Sequence, residues 1–363
     1  MKILNIVGAR PNFIKIAPIM RRMKSSVIEP VLVHTGQHYD IEMSKRFFEE
    51  LDIPAPDISL EVGSDTHARQ VAKIMERFDE VIDKEKPDGI VVVGDVNSTM
   101  ACSLVAAKKC VKIVHVEAGI RSRDRTMPEE INRMVTDAIA DLLLPPSRDA
   151  VDNLLHEGHD PSKIHLVGNI MIDTLINSRP FIEQSGILET LGIRKSEFAL
   201  VTLHRPSNVD HTSDFQKILL ALERIQKNLP VVFPVHPRTR KLLNNNELIS
   251  IINRMPHLII CDPLGYFDFG KLVSSSRMVI TDSGGIQEET TVYGIPCITI
   301  RENTERPVTL WEGTNELAGT DTEKIVQFAD QILAGNWKKG SIPELWDGNT
   351  AGRIVECIEK NLM

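Results

Sequence analysis

Three carboxylates stand where the chain passes from one element to the next. The apolar run Gly89-Ile90-Val91-Val92-Val93 delivers Gly94-Asp95, and the run Lys112 to Val116 delivers Glu117-Ala118-Gly119. Pro128 then opens a helix that carries Glu130 and Arg133 in its first turn. Several acids converging with Arg121, Arg123 and Arg133 among them is how a protein drives pKa values apart for acid and base work. Taken singly, Asp95 also reads as a helix N-cap and Glu130 as an acid placed to favour a helix dipole. The three together favour a proton-transfer site.

A second kind of chemistry is written at Met278–Gly294. An apolar run ends in Thr281-Asp282-Ser283-Gly284-Gly285, and a helix follows that closes at Gly294 before Pro296. The first N–H groups of that helix lack internal partners and its dipole favours an anion, while Gly284 and Gly285 let a ligand come close and Ser283 adds a hydroxyl donor. Gln287-Glu288-Glu289 beside a phosphate fits only if a carboxylate turns toward sugar hydroxyls, and a nucleotide offers both groups. The alternative is a helix start whose acids serve its own dipole.

Other turns add cations and imidazoles. Arg10 and Lys15 follow the first apolar run, within reach of a diphosphate, in a Gly8-Ala9-Arg10-Pro11 turn that is not the GxGxxG fingerprint of a hydride-shuttling NAD site. His204-Arg205 and His236-Pro237-Arg238 each end an apolar run, where they form a polar wall for a phosphate or are hydrogen-bonded strand ends. The aromatic residues of Pro263–Phe269 either sandwich a flat base or belong to the core, and Arg301–Pro307 is another charged strand end. His34 and His38 share no helical face and have no fixed third ligand, so no metal is expected.

The elements that must position these residues alternate between strand-like runs and helical patterns along nearly the whole length, the signature of doubly wound α/β layers on parallel sheets. Near-continuous apolar strands fit sheets covered on both faces, and ligands then sit at the carboxyl ends of strands. Thr66–Lys86 reads as one amphipathic helix, a helix from Asn169 is expected to run out near Pro180, and Gly348–Leu362 closes the chain as another. At 363 residues and 42% apolar the chain has material for two cores, and Ser185–Ser196, with Gly186 and Gly192, reads as the seam between them. The net charge of −8 and a pI near 5.8 argue against nucleic acid or an anionic membrane as partner. The N-terminus goes straight into a strand pattern and no run reaches membrane-span length, which suggests a cytoplasmic protein. Five scattered cysteines without a CxxC pair suggest reduced thiols.

Seven of these segments in register resemble the non-hydrolysing UDP-N-acetylglucosamine 2-epimerases: Gly8–Pro11, Gly94-Asp95, His115–Gly119, Pro128–Arg133, Thr202–Arg205, Asp282–Glu289 and Thr304–Pro307. The resemblance implies a GT-B-like fold, two facing Rossmann-like domains with the ligand in a cleft between them. The first would be residues 1–184 with the catalytic acids, joined by helix 348–363 packing back, and the second residues 185–347 with the UDP site. It also implies that Asp95, Glu117, Glu130 and His204 are catalytic, with Arg133 and His236 close by. Ser283, Gly284 and Gly285 would hold the diphosphate, Glu289 the ribose, Leu264 and Phe269 the uracil, and Arg10, Lys15 and Arg306 the phosphates. No cofactor is implied, the partners are UDP-N-acetylglucosamine and UDP-N-acetylmannosamine, and a homodimer is the family habit. The sequence departs from the family at Pro206-Ser207-Asn208, where Arg-Glu-Asn is usual, and at Glu61-Val62-Gly63, where many relatives place an arginine. Both regions are similar to parts of a regulatory second sugar-nucleotide site.

The implied reaction explains acids without NAD. The C2 hydrogen is not next to a carbonyl, so departure of UDP from C1 must acidify it; elimination gives 2-acetamidoglucal, and re-protonation from the other face with return of UDP gives the C2 epimer. The competing readings are a hydrolysing epimerase that releases N-acetylmannosamine, a glycosyltransferase on the same fold, and a nucleotide-sugar sensor.

Overall fold

The computed structural model describes residues 1–37, 50–51, 53–210, 212–235, 237–242 and 246–362. Of the positions singled out above, His38 and His236 and the side chains of Arg10, Pro206, Ser207 and Arg238 lie outside the described residues.

The chain divides into two compact units, Met1–Asn177 with Glu344–Met363, and Ser178–Pro343. The first holds strands β1 (Lys2–Val7), β2 (Glu29–His34), β3 (Ile58–Ser59), β4 (Gly89–Val93), β5 (Lys112–Val116) and β6 (Leu142–Leu144) in the order 3-2-1-4-5-6. The second holds β7 (Ala199–Thr202), β8 (Val231–Pro234), β9 (Leu258–Cys261), β10 (Met278–Thr281), β11 (Cys297–Thr299) and β12 (Asn315–Leu317) in the order 12-11-10-7-8-9. Counted from its own first strand, the second order is the first one again, and every pairing in both sheets is parallel. This is the expected doubly wound α/β class, twice over.

The local reasons are visible in the burial. Strands β4 and β10 are buried at every residue, as strands covered on both faces must be. The helix His67–Glu85 buries Gln70, Ile74, Phe78 and Ile82, one residue per turn on a single stripe, and ends at Lys86 in the left-handed conformation. The helix that begins at Ile170 does not run out at Pro180 but continues to Glu183. Proline forfeits one helical hydrogen bond. Ile182, buried directly against Gly270, offsets that loss and carries the helix a further turn. Residues 344–363 belong to the first unit, where the helix Thr350–Leu362 is capped by Asp173, whose two oxygens accept from Thr350 N (3.0 Å) and Ala351 N (2.7 Å). Among the described residues no helix is long and apolar enough to cross a membrane.

In each sheet the strand order reverses between two neighbours, β1 and β4 in the first and β7 and β10 in the second. Crevices outside the carboxyl ends of such strands are where open α/β sheets bind ligands. Asp95 follows β4, His204 follows β7 and Ser283 follows β10, so these three of the sequence-derived site residues stand at the reversal points.

Candidate functional site

In the first unit, Asn12 fastens the two turns at the reversal point together. Its Oδ1 accepts from Gly8 N (3.2 Å) and Ala9 N (3.0 Å), and its Nδ2 donates to the last carbonyl of β4, Val93 O (2.9 Å). One turn further along the same helix, Lys15 sends Nζ to within 2.6 Å of Glu117 Oε2, with the side chains 11% and 3% exposed. A pair this dry is strongly coupled, and losing either partner would strand a buried charge. Gly94 lies against it: a Cβ there would stand 3.2 Å from Lys15 Nζ, and its φ of +71° is one that side chains rarely adopt.

Next to Gly94, Asp95 receives Arg133 through Nε (3.0 Å) and Nη2 (2.6 Å), while Arg133 Nη1 donates to Glu130. The N-cap of the helix Asn97–Lys108 is Val96, so capping does not account for Asp95, whose carboxylate remains 30% exposed. Glu130 is differently employed. It is buried in the first turn of Pro128–Ile139 and accepts from Ser122 N (2.9 Å), Ser122 Oγ (3.0 Å) and Arg123 N (2.8 Å) as well as from Arg133. Of the three arginines expected among the acids, only Arg133 bridges them: Arg121 turns to Asp137 and Glu157, and Arg123 to Asn153.

In the second unit, Asp282 closes the reversal point. Fully buried after β10, it accepts from His204 N (3.0 Å), Arg205 N (2.9 Å) and Asn208 Nδ2 (3.1 Å), and its Oδ1 lies 2.9 Å from His204 Nδ1. Burial pushes the Asp282 carboxyl up, but His204 and the backbone donors outweigh it and hold it below the ordinary range. The His204 side chain itself is 43% exposed. The helix Gly284–Tyr293 starts at Ser283 with no side-chain hydrogen bond capping it, and Ser283, Gly284 and Gly285 are half-buried. Gly284 has no left-handed φ, and a Cβ there would meet nothing within 4 Å. Neither backbone nor packing demands glycine at that position.

The acids of that helix start do not crowd the loop with negative charge. Glu288 is paired with Arg306. Gln287 accepts from Thr304 Oγ1 (2.6 Å) and Asn315 Nδ2 (3.1 Å). Glu289 is buried beside Glu288 and Tyr266; burial first, then Glu288, pushes its carboxyl up to about 8. Leu264 and Phe269 pack, partly buried, against a small core on the face of the second sheet, Tyr266 is buried, and Phe267 stacks on Phe181 with centroids 5.2 Å apart. Among the described residues no group of three or more His, Cys, Asp or Glu side chains is placed to hold a metal ion.

The family model for UDP-N-acetylglucosamine 2-epimerase matches residues 21–359. The chain belongs to the UDP-N-acetylglucosamine 2-epimerase family. It is 42% identical to a UDP-N-acetylglucosamine 2-epimerase homolog of Methanococcus maripaludis over 99% of each chain. It is 39% identical to the UDP-2,3-diacetamido-2,3-dideoxy-D-glucuronate 2-epimerase of Pseudomonas aeruginosa, covering 99% of this chain and 100% of that one. Among solved structures, it is similar to the Methanocaldococcus jannaschii UDP-GlcNAc 2-epimerase in complex with UDP-GlcNAc and UDP, with a TM-score of 0.89 and 38% identity over 99% of this chain and 100% of that one. The fold is thus the GT-B-like pairing of Rossmann-like units that this epimerase family shares.

Within this epimerase-family chain, sequence reasoning gave no role to Asp282, Glu288, His115 or Asp137. Asp282 was signalled by its place directly after a strand, and Asp137 by its spacing of seven from Glu130, which puts both on one face of their helix. The Glu288 pairing had no local signal, since Arg306 comes from a different loop.

Proposed function

We propose that this chain interconverts the C2 epimers UDP-N-acetylglucosamine and UDP-N-acetylmannosamine by eliminating and re-adding UDP, without releasing a free sugar. The observation that carries this reading is the pairing of Asp95 with Arg133 and of Glu117 with Lys15 at one reversal point, in a chain whose relative from M. jannaschii is seen with UDP-GlcNAc and UDP. In the proposed reaction one carboxylate takes the C2 proton as the C1–O bond breaks, and UDP leaves with the bonding electrons. The resulting 2-acetamidoglucal is protonated at C2 from its other face, and UDP returns to C1. Glu117 and Asp95 are the proton carriers. Glu130, already accepting four hydrogen bonds, fixes Arg133 and the turn at Ser122-Arg123. The second unit carries the UDP: the uncapped helix start at Ser283-Gly284-Gly285 takes the diphosphate, and His204, backed by Asp282, assists the departing phosphate. Lys15 and Arg306 are cations that a phosphate can draw from their carboxylate partners. No cofactor enters the scheme.

A second reading concerns the sugar alone. The P. aeruginosa relative, matched over its whole length, acts by name on a diacetamido glucuronate, and the same C2 chemistry serves either ring. The test is to incubate the protein in D2O with each UDP-sugar and follow it by NMR. Deuterium at C2 with UDP still attached is expected for the true substrate. Free N-acetylmannosamine would replace the proposal by a hydrolysing epimerase, and inertness toward both would end it.

A further inference from the structure

We infer that His115 and Asp137 form a buried positioning clamp, fixing the two turns that carry Asp95 and Glu117 in register for proton transfer. The inference rests on the epimerase reading above and deepens it. His115 is the fourth residue of β5, one before Val116, and its side chain and that of Asp137 are fully buried. Its Nε2 lies 2.9 Å from Gly94 O, an atom that only accepts, so Nε2 donates to the residue preceding Asp95. Its Nδ1 donates across 2.6 Å to Asp137 Oδ1. The other oxygen of Asp137 accepts from Gly119 N (3.0 Å), two residues past Glu117, and from Arg121 Nη2 (2.7 Å). Arg121 continues the chain outward, donating through Nη1 to Ile120 O (2.8 Å) and through Nε and Nη2 to the two oxygens of Glu157 (2.9 and 2.6 Å).

The turns so gripped are ones that need gripping. Glu117 has φ +68°, a left-handed conformation costly for a residue with a side chain, and such strain persists only where the surroundings over-determine it. Gly119 follows at φ +78°, and a Cβ there would stand 2.2 Å from Ala150 O. Glu117 N is tied to Leu144 O (3.0 Å) and Gly94 N to Val116 O (3.0 Å), so backbone bonds hold one side of each turn and the clamp holds the other. Burial alone would push the Asp137 carboxyl up, but His115 and Arg121 hold it below the ordinary range, so it serves as a fixed anion. Hydrogen bonds accepted by one carboxylate thus hold both turns, directly at Gly119 and at Gly94 through the His115 ring, which donates at both nitrogens.

The experiment compares the full-length protein with Asp137→Asn, an isosteric change, and with Glu157→Gln at the partly exposed outer end of the network. Readouts are kcat and KM with UDP-N-acetylglucosamine or its diacetamido glucuronate analogue, the fraction of turnovers ending in free UDP, and Tm. A displacement of about 1 Å at reacting groups costs on the order of 10²-fold. Asp137→Asn is expected to lower kcat by about that factor with KM within about threefold, and to raise the share of turnovers that lose UDP before re-protonation. Glu157→Gln is expected to lower kcat several-fold in the same pattern, and it decides the matter should Asp137→Asn fail to fold. A lowered Tm with kcat per folded molecule unchanged in the folded variants would mean the network only supports the fold, and would overturn the clamp. Absence of deuterium exchange in the unmodified protein with either sugar would instead overturn the epimerase reading, a result that the variants cannot mimic.

Discussion

The two reversal points share a strand order and differ in how they handle charge. In the first unit every proposed functional acid is matched by a cation across a short, mostly buried contact: Lys15 on Glu117, Arg133 on Asp95 and Glu130, Arg121 on Asp137. In the second unit one carboxylate, Asp282, is spent on the backbone of the opposite turn, and the helix start beside it is left uncapped. The acids following that start are withdrawn from it, Glu288 by pairing with Arg306 and Glu289 by burial. A frame repeated twice in one chain thus supports a set of paired carboxylates at one point and, at the other, a helix start that no side chain caps. The turn residues, and not the sheet, decide which.

If that division is functional, the largest effect belongs to the first unit. Glu117→Gln removes a proton carrier and frees Lys15 from its anion; kcat is expected to fall by about 10³-fold, while UDP affinity by calorimetry is not expected to fall. Asp95→Asn should follow the same pattern. Near-normal turnover in both variants would move the chemistry elsewhere, and a loss confined to UDP affinity would assign these acids to binding.

A smaller effect tests the claim that burial withdraws Glu289. A carboxyl raised from 4.5 to about 8 keeps its proton in the folded chain at pH values where the unfolded chain has lost it. Stability contributed by this group is therefore fully present below the ordinary value and lost as pH rises through the window up to about 8, to a total of at most a few kcal/mol. Glu289→Gln mimics the neutral form at all pH values. Its Tm relative to the unmodified chain should climb between pH 5 and pH 8.5, and a difference that stays flat would show that Glu289 ionises freely.

Much of this frame was legible from residues alone. Strands such as Gly89–Val93 carry unbroken apolar runs because both of their faces are covered, and the strand, loop and helix of Met278–Gly294 lie where the glycines and the apolar run put them. What was not legible depends on contacts between distant elements. Arg121 stands four residues after Glu117 and reads as one of the acids' partners. The left-handed turns at Glu117 and Gly119 redirect the backbone, so that its guanidinium lands on Asp137 and Glu157. Withdrawal of charge from Glu288 and Glu289 required Arg306 from another loop and the burial of Glu289 in the folded unit, which no local pattern announces. The helix passing through Pro180 required knowing that Ile182 would be buried on Gly270.

The smallest predicted effect is also the cleanest probe of the uncapped helix start. Gly284 has an ordinary backbone conformation, and an added methyl would meet no protein atom within 4 Å. Gly284→Ala should therefore leave the fold intact, with Tm unchanged or slightly raised, because alanine loses less backbone entropy than glycine on entering a helix. If the space above that loop is reserved for a diphosphate, the same methyl obstructs it. UDP affinity should then fall about tenfold, or ~1.4 kcal/mol, with kcat at saturation little changed. The two measurements separate the alternatives because they move in opposite directions only if the room is kept for a ligand. Undiminished UDP affinity in a stable Gly284→Ala protein would show that the glycine reserves nothing, and that the contrast between the two reversal points is structural.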